Sequence, residues 1–163
     1  MDVRLVAGAL KRCSLFESFD AQALGKLAQM IEVKSFDPKA VLYRPSDDGS
    51  SLFVLTSGQV EFFVVAAEAV RVVATIGPVR SFGEISMLLP GKRMIGARAV
   101  EEVTVFELSS GLLKMLELSD PTLALELIAA VRERVMELFA PLRPMLAQVF
   151  VQALENIDTN ELS

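Results

Sequence analysis

The sequence predicts a mainly β domain with helices at both ends, in which short strands form a sandwich or a barrel. Residues 31–108 contain short, β-type apolar runs separated by turn residues, the pattern typical of such a fold. In residues 1–30 and 109–163, apolar side chains recur at helical spacing instead. A chain of 163 residues is long enough for one domain with a substantial core, so we expect the three segments to form a single domain.

The N-terminal segment predicts two helices. One face of the first helix is apolar and consists of Val3, Val6, Ala7 and Leu10. Residues 14–19 interrupt the helical spacing, and Asp20 is a residue type that caps helix N-termini. The second helix therefore begins after Asp20, with an inner face formed by Leu24, Leu27 and Ala28.

The middle segment predicts six strands. The first run, 41–43, leads into a cluster of turn residues at 44–49. Val103 to Leu108 alternates between apolar and polar residues, as expected of a half-buried strand. The runs after the turn cluster cover residues 52–58, 60–65, 70–76, 97–100 and 103–108.

The C-terminal segment predicts helices separated by a break. A short helix starts at Ser109, and a long one starts at Asp120–Pro121, where a capping carboxylate precedes a proline. Pro141 would remove a backbone donor and clash with the preceding turn. We therefore expect a break or sharp kink at 139–144, followed by a second helix to about Asn156.

The helix after the break is apolar on more than one face. Its apolar residues are Met145, Leu146, Val149, Phe150, Val151, Ala153, Leu154 and Ile157. A helix that is apolar all round needs cover on all sides, so we predict a homodimer that forms through the C-terminal helices. The last residues, 158–163, are expected to be a frayed tail.

Composition and charge narrow the function. The longest apolar stretches are too short or too interrupted for a membrane span, and the N-terminus lacks the pattern of a signal peptide. The apolar fraction of 52% therefore indicates a large core and an apolar surface covered by a partner. A single cysteine, Cys13, fits a reducing compartment, so we expect a cytoplasmic protein. A net charge of −5 with scattered Lys and Arg argues against binding to nucleic acid.

The missing residue types argue against an enzyme. The sequence contains no His and no Trp, so it has neither a His-dependent nucleophile nor a His-ligated metal site. Adjacent carboxylates such as Glu101 and Glu102 point apart on a strand and fit a solvated turn. We therefore expect no enzymatic activity, no metal and no cofactor.

The clearest chemical pattern lies between Ser81 and Arg93. Gly83 precedes a short helical turn with Glu84 at its start, and the free N–H groups of such a turn form an anion site. Arg93 returns on the next strand, and its guanidinium suits a phosphodiester, while Glu84 would accept a sugar hydroxyl. The alternative is a tight turn in which Glu84 and Arg93 form an ion pair.

This stretch resembles the phosphate-binding cassette of the cyclic-nucleotide-binding domain family. The matching residues are, in order, Phe82, Gly83, Glu84, Ile85, Ser86 and Met87, followed at the expected distance by Arg93. Other residues similar to the family's entry motif, turn and strands are Leu15, Phe16, Phe19, Leu24, Tyr43, Arg44, Asp47, Gly49, Leu52, Phe53, Val54, Leu55, Ser57, Gly58 and Val60. The resemblance covers residues 14–138 and implies a double-stranded β-helix jelly roll, as in catabolite-activator-like regulators.

The resemblance also implies a ligand site within a cassette-like segment at 82–93. Arg93 would hold the phosphate charge together with the backbone at Gly83, and Glu84 would hold the ribose 2′-hydroxyl. Leu138 and Phe139 would contact the base or act as a lid. The complete set of implied ligand-binding residues is Phe82, Gly83, Glu84, Ile85, Ser86, Arg93 and Met94.

The sequence departs from the family's pattern at several positions. Met94 and Ile95 stand where binding members carry small residues, so a methionine there would fill space near the phosphate. Val79–Arg80 replaces a usual Gly-Asp turn, and Lys39 or Ala40 replaces a turn glycine. The sequence thus keeps the residues that would bind the phosphate and the ribose, whereas it does not keep a clear set of residues that would recognise the purine.

Two functions follow from this comparison. The first is a sensor of cyclic AMP or cyclic GMP, in which the ligand shifts the cassette and the C-terminal helices into one arrangement. The second is a degenerate β-roll that binds no nucleotide and serves protein interaction or dimerisation, as Met94 and Ile95 would favour. The short, weakly basic segment after Pro141 does not resemble a helix-turn-helix, so we expect no DNA binding by this chain.

Overall fold

The computed structural model describes residues 2–67 and 69–160. Helices α1 (Val3–Lys11) and α2 (Ala21–Met30) precede the strands and are joined by a 3₁₀ turn at Ser14–Phe16. The Asp20 carboxylate accepts a hydrogen bond of 2.7 Å from the Ala23 N–H. The predicted N-cap is therefore confirmed.

The strands form two antiparallel four-stranded sheets and one short ribbon. Within the described ranges, the strands are β1 (Glu32–Phe36), β2 (Val41–Tyr43), β3 (Asp48–Gly49), β4 (Ser51–Ser57), β5 (Val60–Ala66), β6 (Ala69–Ile76), β7 (Arg80–Phe82), β8 (Gly91–Lys92), β9 (Gly96–Ala99) and β10 (Val103–Ser109). One sheet has the order β1-β10-β4-β7, the other has the order β2-β9-β5-β6, and β3 pairs with β8.

The period of two along a strand divides the interior into two cores. In β4, Leu52 and Val54 pack in a core with the helices, whereas Phe53 and Leu55 pack in a core between the two sheets. Because β4 is covered on both faces, its first five residues are all buried, and it reads as a continuous apolar run in the sequence.

Helices follow the last strand. The segment contains α4 (Ser110–Ser119), α5 (Pro121–Phe139), a 3₁₀ turn at Ala140–Leu142 and α6 (Arg143–Asn160). The predicted break is present at the prolines, but α6 is longer than expected. It continues past Asn156 to Asn160, so the tail predicted from residue 158 was wrong over 158–160, while 161–163 lie outside the described residues.

The start of α5 is anchored to the N-terminal helices. The Asp120 carboxylate accepts hydrogen bonds from Lys26 of α2 and from the Leu123 N–H. The hydrogen bond from Lys26 has the larger effect, and together the two bonds hold the pKa of Asp120 below its ordinary value. The first half of α5 is buried through Leu123, Leu127 and Val131, and the helix therefore packs firmly on the roll.

Helix α6 differs from α5 in its burial. Its described side chains from Arg143 to Leu154 are exposed, except for Leu146, which is half-buried. Among the described residues, no helix is long and apolar enough to cross a membrane. The antiparallel sheets with helices on either side confirm the predicted fold class.

Candidate functional site

A cavity of about 310 Å³ opens between the sheets, the short helix α3 (Glu84–Leu88) and α5. This volume lies at the lower end of the range for small-molecule sites. The cavity is lined by Tyr43, Phe62, Ile76, Arg80, Ser81, Phe82, Gly83, Glu84, Ile85, Ser86, Arg93, Met94, Ile95, Arg134 and Leu138. The structure thus brings together all the predicted ligand-binding and base-contact residues except Phe139, which is half-buried and does not line the cavity.

Gly83 connects the floor of the cavity to α3. It has φ +81°, a left-handed conformation that favours glycine, and it occupies the N-cap position of the short helix. A Cβ at this position would lie 2.8 Å from an Arg93 guanidinium nitrogen and 3.0 Å from the Ser51 carbonyl oxygen. Glycine is therefore required both for the turn and for the close approach of Arg93.

Arg93 is a buried cation without a carboxylate partner. It is 8% exposed and donates a 2.9 Å hydrogen bond to the Ser51 carbonyl oxygen. None of the ion pairs between described residues involves it, and its Nε has no hydrogen-bond partner. Burial lowers the pKa of Arg93 below its ordinary value, although a guanidinium stays protonated in proteins. Among the described residues, no carboxylate lies within ion-pair distance of its guanidinium, and its near neighbours are the Ser51 carbonyl oxygen and aromatic rings.

Glu84 is the second buried ionisable group of the cavity. It is 4% exposed, accepts a 2.7 Å hydrogen bond from the Ser81 hydroxyl, and lies 3.8 Å from Nε of Arg134 on α5. The alternative of a Glu84–Arg93 ion pair is therefore wrong. In the folded chain, Arg93 lies against aromatic rings, and the Glu84 carboxylate instead faces Arg134 on the C-terminal helix α5.

Arg134 is one of several cavity residues that the sequence analysis did not place in the site; the others are Tyr43, Phe62, Ile76, Arg80, Ser81 and Ile95. Arg134 also lies 3.2 Å from the exposed Glu137 carboxylate, one turn further along α5. A signal was available in the sequence, because Arg134 precedes Leu138 by four residues and so shares its helix face. What the sequence did not indicate is that this face lies against Glu84.

Apolar side chains also line the cavity. Phe62 is buried, and Ile76, Ile95 and Leu138 contribute aliphatic surface. Met94 is 72% exposed, so most of its side chain lies outside the cavity. A buried cation combined with an apolar lining suits an anion that carries an apolar body.

Two of the residues that depart from the family's pattern have a positive φ, the backbone conformation that favours glycine. Val79, which replaces the turn glycine before the cassette, has φ +66°, a conformation that is costly for a β-branched residue. Lys39 has φ +69°, so it is Lys39 and not Ala40 that occupies the other glycine position. Both turns are kept although the residue type that favours them has been lost.

The described residues contain no group of three or more acidic, Cys or His side chains that could hold a metal ion. Cys13, the chain's single cysteine, is fully buried near Ser81, and burial raises the pKa of its thiol. The site therefore offers electrostatic and apolar contacts for binding.

Two regulatory proteins are similar to the chain in sequence. It is 24% identical over 126 residues to the CRP-like cAMP-activated global transcriptional regulator of Mycobacterium tuberculosis, covering 77% of this chain and 56% of that protein. It is 27% identical over 103 residues to the cAMP-dependent protein kinase regulatory subunit of Candida albicans, covering 63% of this chain and 22% of that protein. The chain thus spans just over half of the first relative and about a fifth of the second.

Solved structures share the fold. The N-terminal domain of a transcriptional regulator from Streptomyces coelicolor matches with a TM-score of 0.72 at 26% identity, over 82% of this chain and 94% of that one. The regulatory domain of Toxoplasma gondii PKA with cAMP matches with a TM-score of 0.62 at 25% identity, over 69% of this chain and 43% of that one.

The family described as Cyclic nucleotide-binding domain matches residues 33–118, more than half of the chain. This range contains strands β2 to β10, the Gly83 turn and Arg93. The sequence match, the shared fold and the cassette-like segment agree, and the chain therefore belongs to the cyclic nucleotide-binding domain family.

Proposed function

We propose that the chain is a regulatory module that binds a cyclic nucleotide and passes the state of its site to the C-terminal helices. One observation carries this proposal. Arg93 is buried without a carboxylate partner at the floor of an open cavity. Burying a charge without a counter-charge is costly, so we infer that an anionic ligand supplies the missing charge.

The other residues of the cavity fit the remaining parts of a cyclic nucleotide. Arg93 and the backbone at Gly83 would bind the phosphate, and Glu84 would accept the ribose 2′-hydroxyl. Phe82, Ile85, Ser86 and Met94 also line the cavity. Leu138 would pack on the base, whereas Phe139 lies outside the cavity and has no part in this proposal.

The names of the relatives favour cyclic AMP as the first candidate. One is described as cAMP-activated, one as a cAMP-dependent kinase regulatory subunit, and one neighbouring structure contains cAMP. Cyclic GMP remains part of the proposal because the aliphatic and aromatic side chains that line this cavity would contact a purine without hydrogen-bonding to it. We propose a sensor without enzymatic activity that acts in the cytoplasm.

The Glu84–Arg134 contact offers a route for the signal. Glu84 begins the cassette helix α3, and Arg134 lies on α5, so this ion pair joins the ligand floor to the C-terminal helices. A ribose hydroxyl that hydrogen-bonds to Glu84 would compete with Arg134 for the same carboxylate. Ligand binding would then weaken the contact that holds α5 against α3. The protein would shift from the arrangement of α5 without ligand to the arrangement with ligand.

A second candidate function is protein interaction, and the exposure of α6 favours it. Met145, Val149, Val151 and Leu154 are each more than half exposed. Residues 144–154 contain no ionisable side chain, so two copies of this segment meet without charge repulsion in a chain whose net charge is −5. We propose that α6 mediates a homodimer, with a different protein partner as the alternative.

The first experiment is calorimetric titration of the full chain with cyclic AMP and cyclic GMP. We expect wild-type binding, and we expect Arg93→Ala to weaken it roughly a hundredfold, because charge-assisted hydrogen bonds are lost. Arg71→Ala is the matched control, since it removes the same charge from the exposed strand β6. Absence of heat with both nucleotides in a folded protein would refute the sensor and favour the interaction module.

A further inference from the structure

We propose that Tyr43 is the positioning residue of the ligand site: its ring holds the Arg93 guanidinium at the cavity floor without neutralising its charge. The proposal rests on the nucleotide-binding function proposed above for its ligand, but the contact between the two side chains is observed directly. Cζ of Arg93 lies 4.2 Å from the centroid of the Tyr43 ring, well inside the range of a cation–π interaction.

The ring is itself held rigidly. Tyr43 is 8% exposed and stacks on Phe53 with centroids 6.0 Å apart, and Phe53 stacks on Phe82 at 5.3 Å. All three rings belong to the core between the two sheets. Because Tyr43 comes from β2 and Phe82 from β7, the stack ties the cassette to the opposite sheet.

The remaining contacts of Arg93 come from the backbone. Gly49 and Gly83 are so close that added Cβ atoms would lie 2.3 Å from its Nε and 2.8 Å from a terminal nitrogen, and Ser51 supplies a carbonyl oxygen. Phe53 is a more distant neighbour, with its ring centroid 5.6 Å from Cζ. Of these two rings, Tyr43 is therefore the closer to the guanidinium.

An aromatic partner has a functional advantage over a carboxylate. A carboxylate would form strong hydrogen bonds with the guanidinium and compete with an incoming phosphate, whereas a ring face attracts the cation and leaves its charge and most of its donors available. Burial raises the pKa of Tyr43 to about 12, so the ring remains a neutral phenol and adds no negative charge of its own.

The test compares Tyr43→Leu, Tyr43→Phe and Phe53→Leu in the full chain. Phe53→Leu is the matched control, because it truncates a ring of the same stack that is equally buried but further from Arg93. We expect Tyr43→Leu to weaken cyclic AMP binding roughly tenfold, and the other two variants to change it by about threefold or less. Equal losses in Tyr43→Leu and Phe53→Leu, or no rescue by Tyr43→Phe, would overturn the proposal.

A fluorinated ring separates electrostatics from packing without relying on a truncated core. Trifluorophenylalanine in place of Tyr43 keeps the volume of the ring and removes most of the negative charge on its face. We expect its affinity for cyclic AMP to fall toward that of Tyr43→Leu, while Tyr43→Phe remains close to wild type. An affinity equal to that of Tyr43→Phe would show that the ring acts by shape alone and would refute positioning by charge.

A measurement without ligand distinguishes failure of this inference from failure of the proposed function. The ring current of Tyr43 should move the NMR resonances of the Arg93 side chain upfield in the wild type and in Tyr43→Phe, but not in Tyr43→Leu. If the wild type binds neither nucleotide, the sensor function fails, and these shifts still decide whether Tyr43 holds Arg93. Identical Arg93 shifts in all three proteins would refute the contact.

Discussion

At the scale of single residues, Arg93 reaches the cavity through space that two glycines leave open. Gly83 needs its left-handed φ, so any side chain there is strained as well as crowded. Gly49 is different, because it lies in strand β3 and only the close approach of Arg93 excludes a side chain. Gly49 therefore gives a cleaner test of how Arg93 is placed.

We expect Gly49→Ala to weaken cyclic AMP binding roughly tenfold, because the new methyl group would displace Arg93 from its hydrogen bond to Ser51. The methyl would lie 2.3 Å from Nε, in the middle of the side chain, where a small rotation cannot relieve the clash. Titration calorimetry measures the affinity, and thermal unfolding confirms that the variant is folded.

The chain contains a matched control for this substitution. Gly91 is the strand partner of Gly49, and a Cβ there would approach nothing closer than the Leu89 carbonyl oxygen at 3.9 Å. Gly91→Ala should leave the affinity within about twofold of wild type. Equal affinities in Gly49→Ala and Gly91→Ala would show that ligand binding does not depend on the observed position of Arg93.

At the scale of elements, helix α5 connects the site to the rest of the C-terminal segment. Its N-terminus is capped by Asp120 and anchored to α2 through Lys26, and its last turns carry Arg134 and Leu138 at the cavity. We therefore expect a change at the cavity to act on the C-terminal end of α5, while the capped N-terminal end keeps its position.

We expect Arg134→Met to uncouple α5 from the ligand, because it removes the ion pair with Glu84. In the wild type, cyclic AMP should change hydrogen exchange of the α5 amides near Arg134, and in the variant this change should be reduced at matched occupancy. Arg132→Met is the control, since Arg132 lies on the same helix but does not line the cavity. A ligand response in Arg134→Met as large as in the wild type would contradict this route.

At the scale of the whole molecule, the fold leaves apolar side chains of α6 without cover, among them Met145, Val149, Val151 and Leu154. We expect the full chain to dimerise and Val149→Glu to raise the dimer dissociation constant roughly a hundredfold, because it buries an unpaired charge. Light scattering at a series of concentrations measures this. Val70→Glu is the control, since Val70 on β6 is 54% exposed and Val149 is 58% exposed. A monomeric wild type, or equal effects of both substitutions, would contradict dimerisation through α6.

Local signals in the sequence were sufficient for most of the fold. Asp20 and Asp120 mark helix starts because each carboxylate accepts a hydrogen bond from the N–H three residues further on, and Pro141 marks a break because it lacks a backbone donor. The strands that were not predicted are β1 (Glu32–Phe36), β3 (Asp48–Gly49), β7 (Arg80–Phe82) and β8 (Gly91–Lys92). Their pairing depends on contacts between distant segments of the chain.

The candidate site divides in the same way. The sequence by itself determined that a Gly-Glu turn and an arginine stand at the spacing of a phosphate cassette, because a turn needs particular residue types at fixed local positions. Only the tertiary structure decided that Arg93 faces Tyr43, that Glu84 faces Arg134, and that Leu138 but not Phe139 lines the cavity. The partner of a buried side chain depends on how distant segments pack against each other, and local patterns carry no information about that packing.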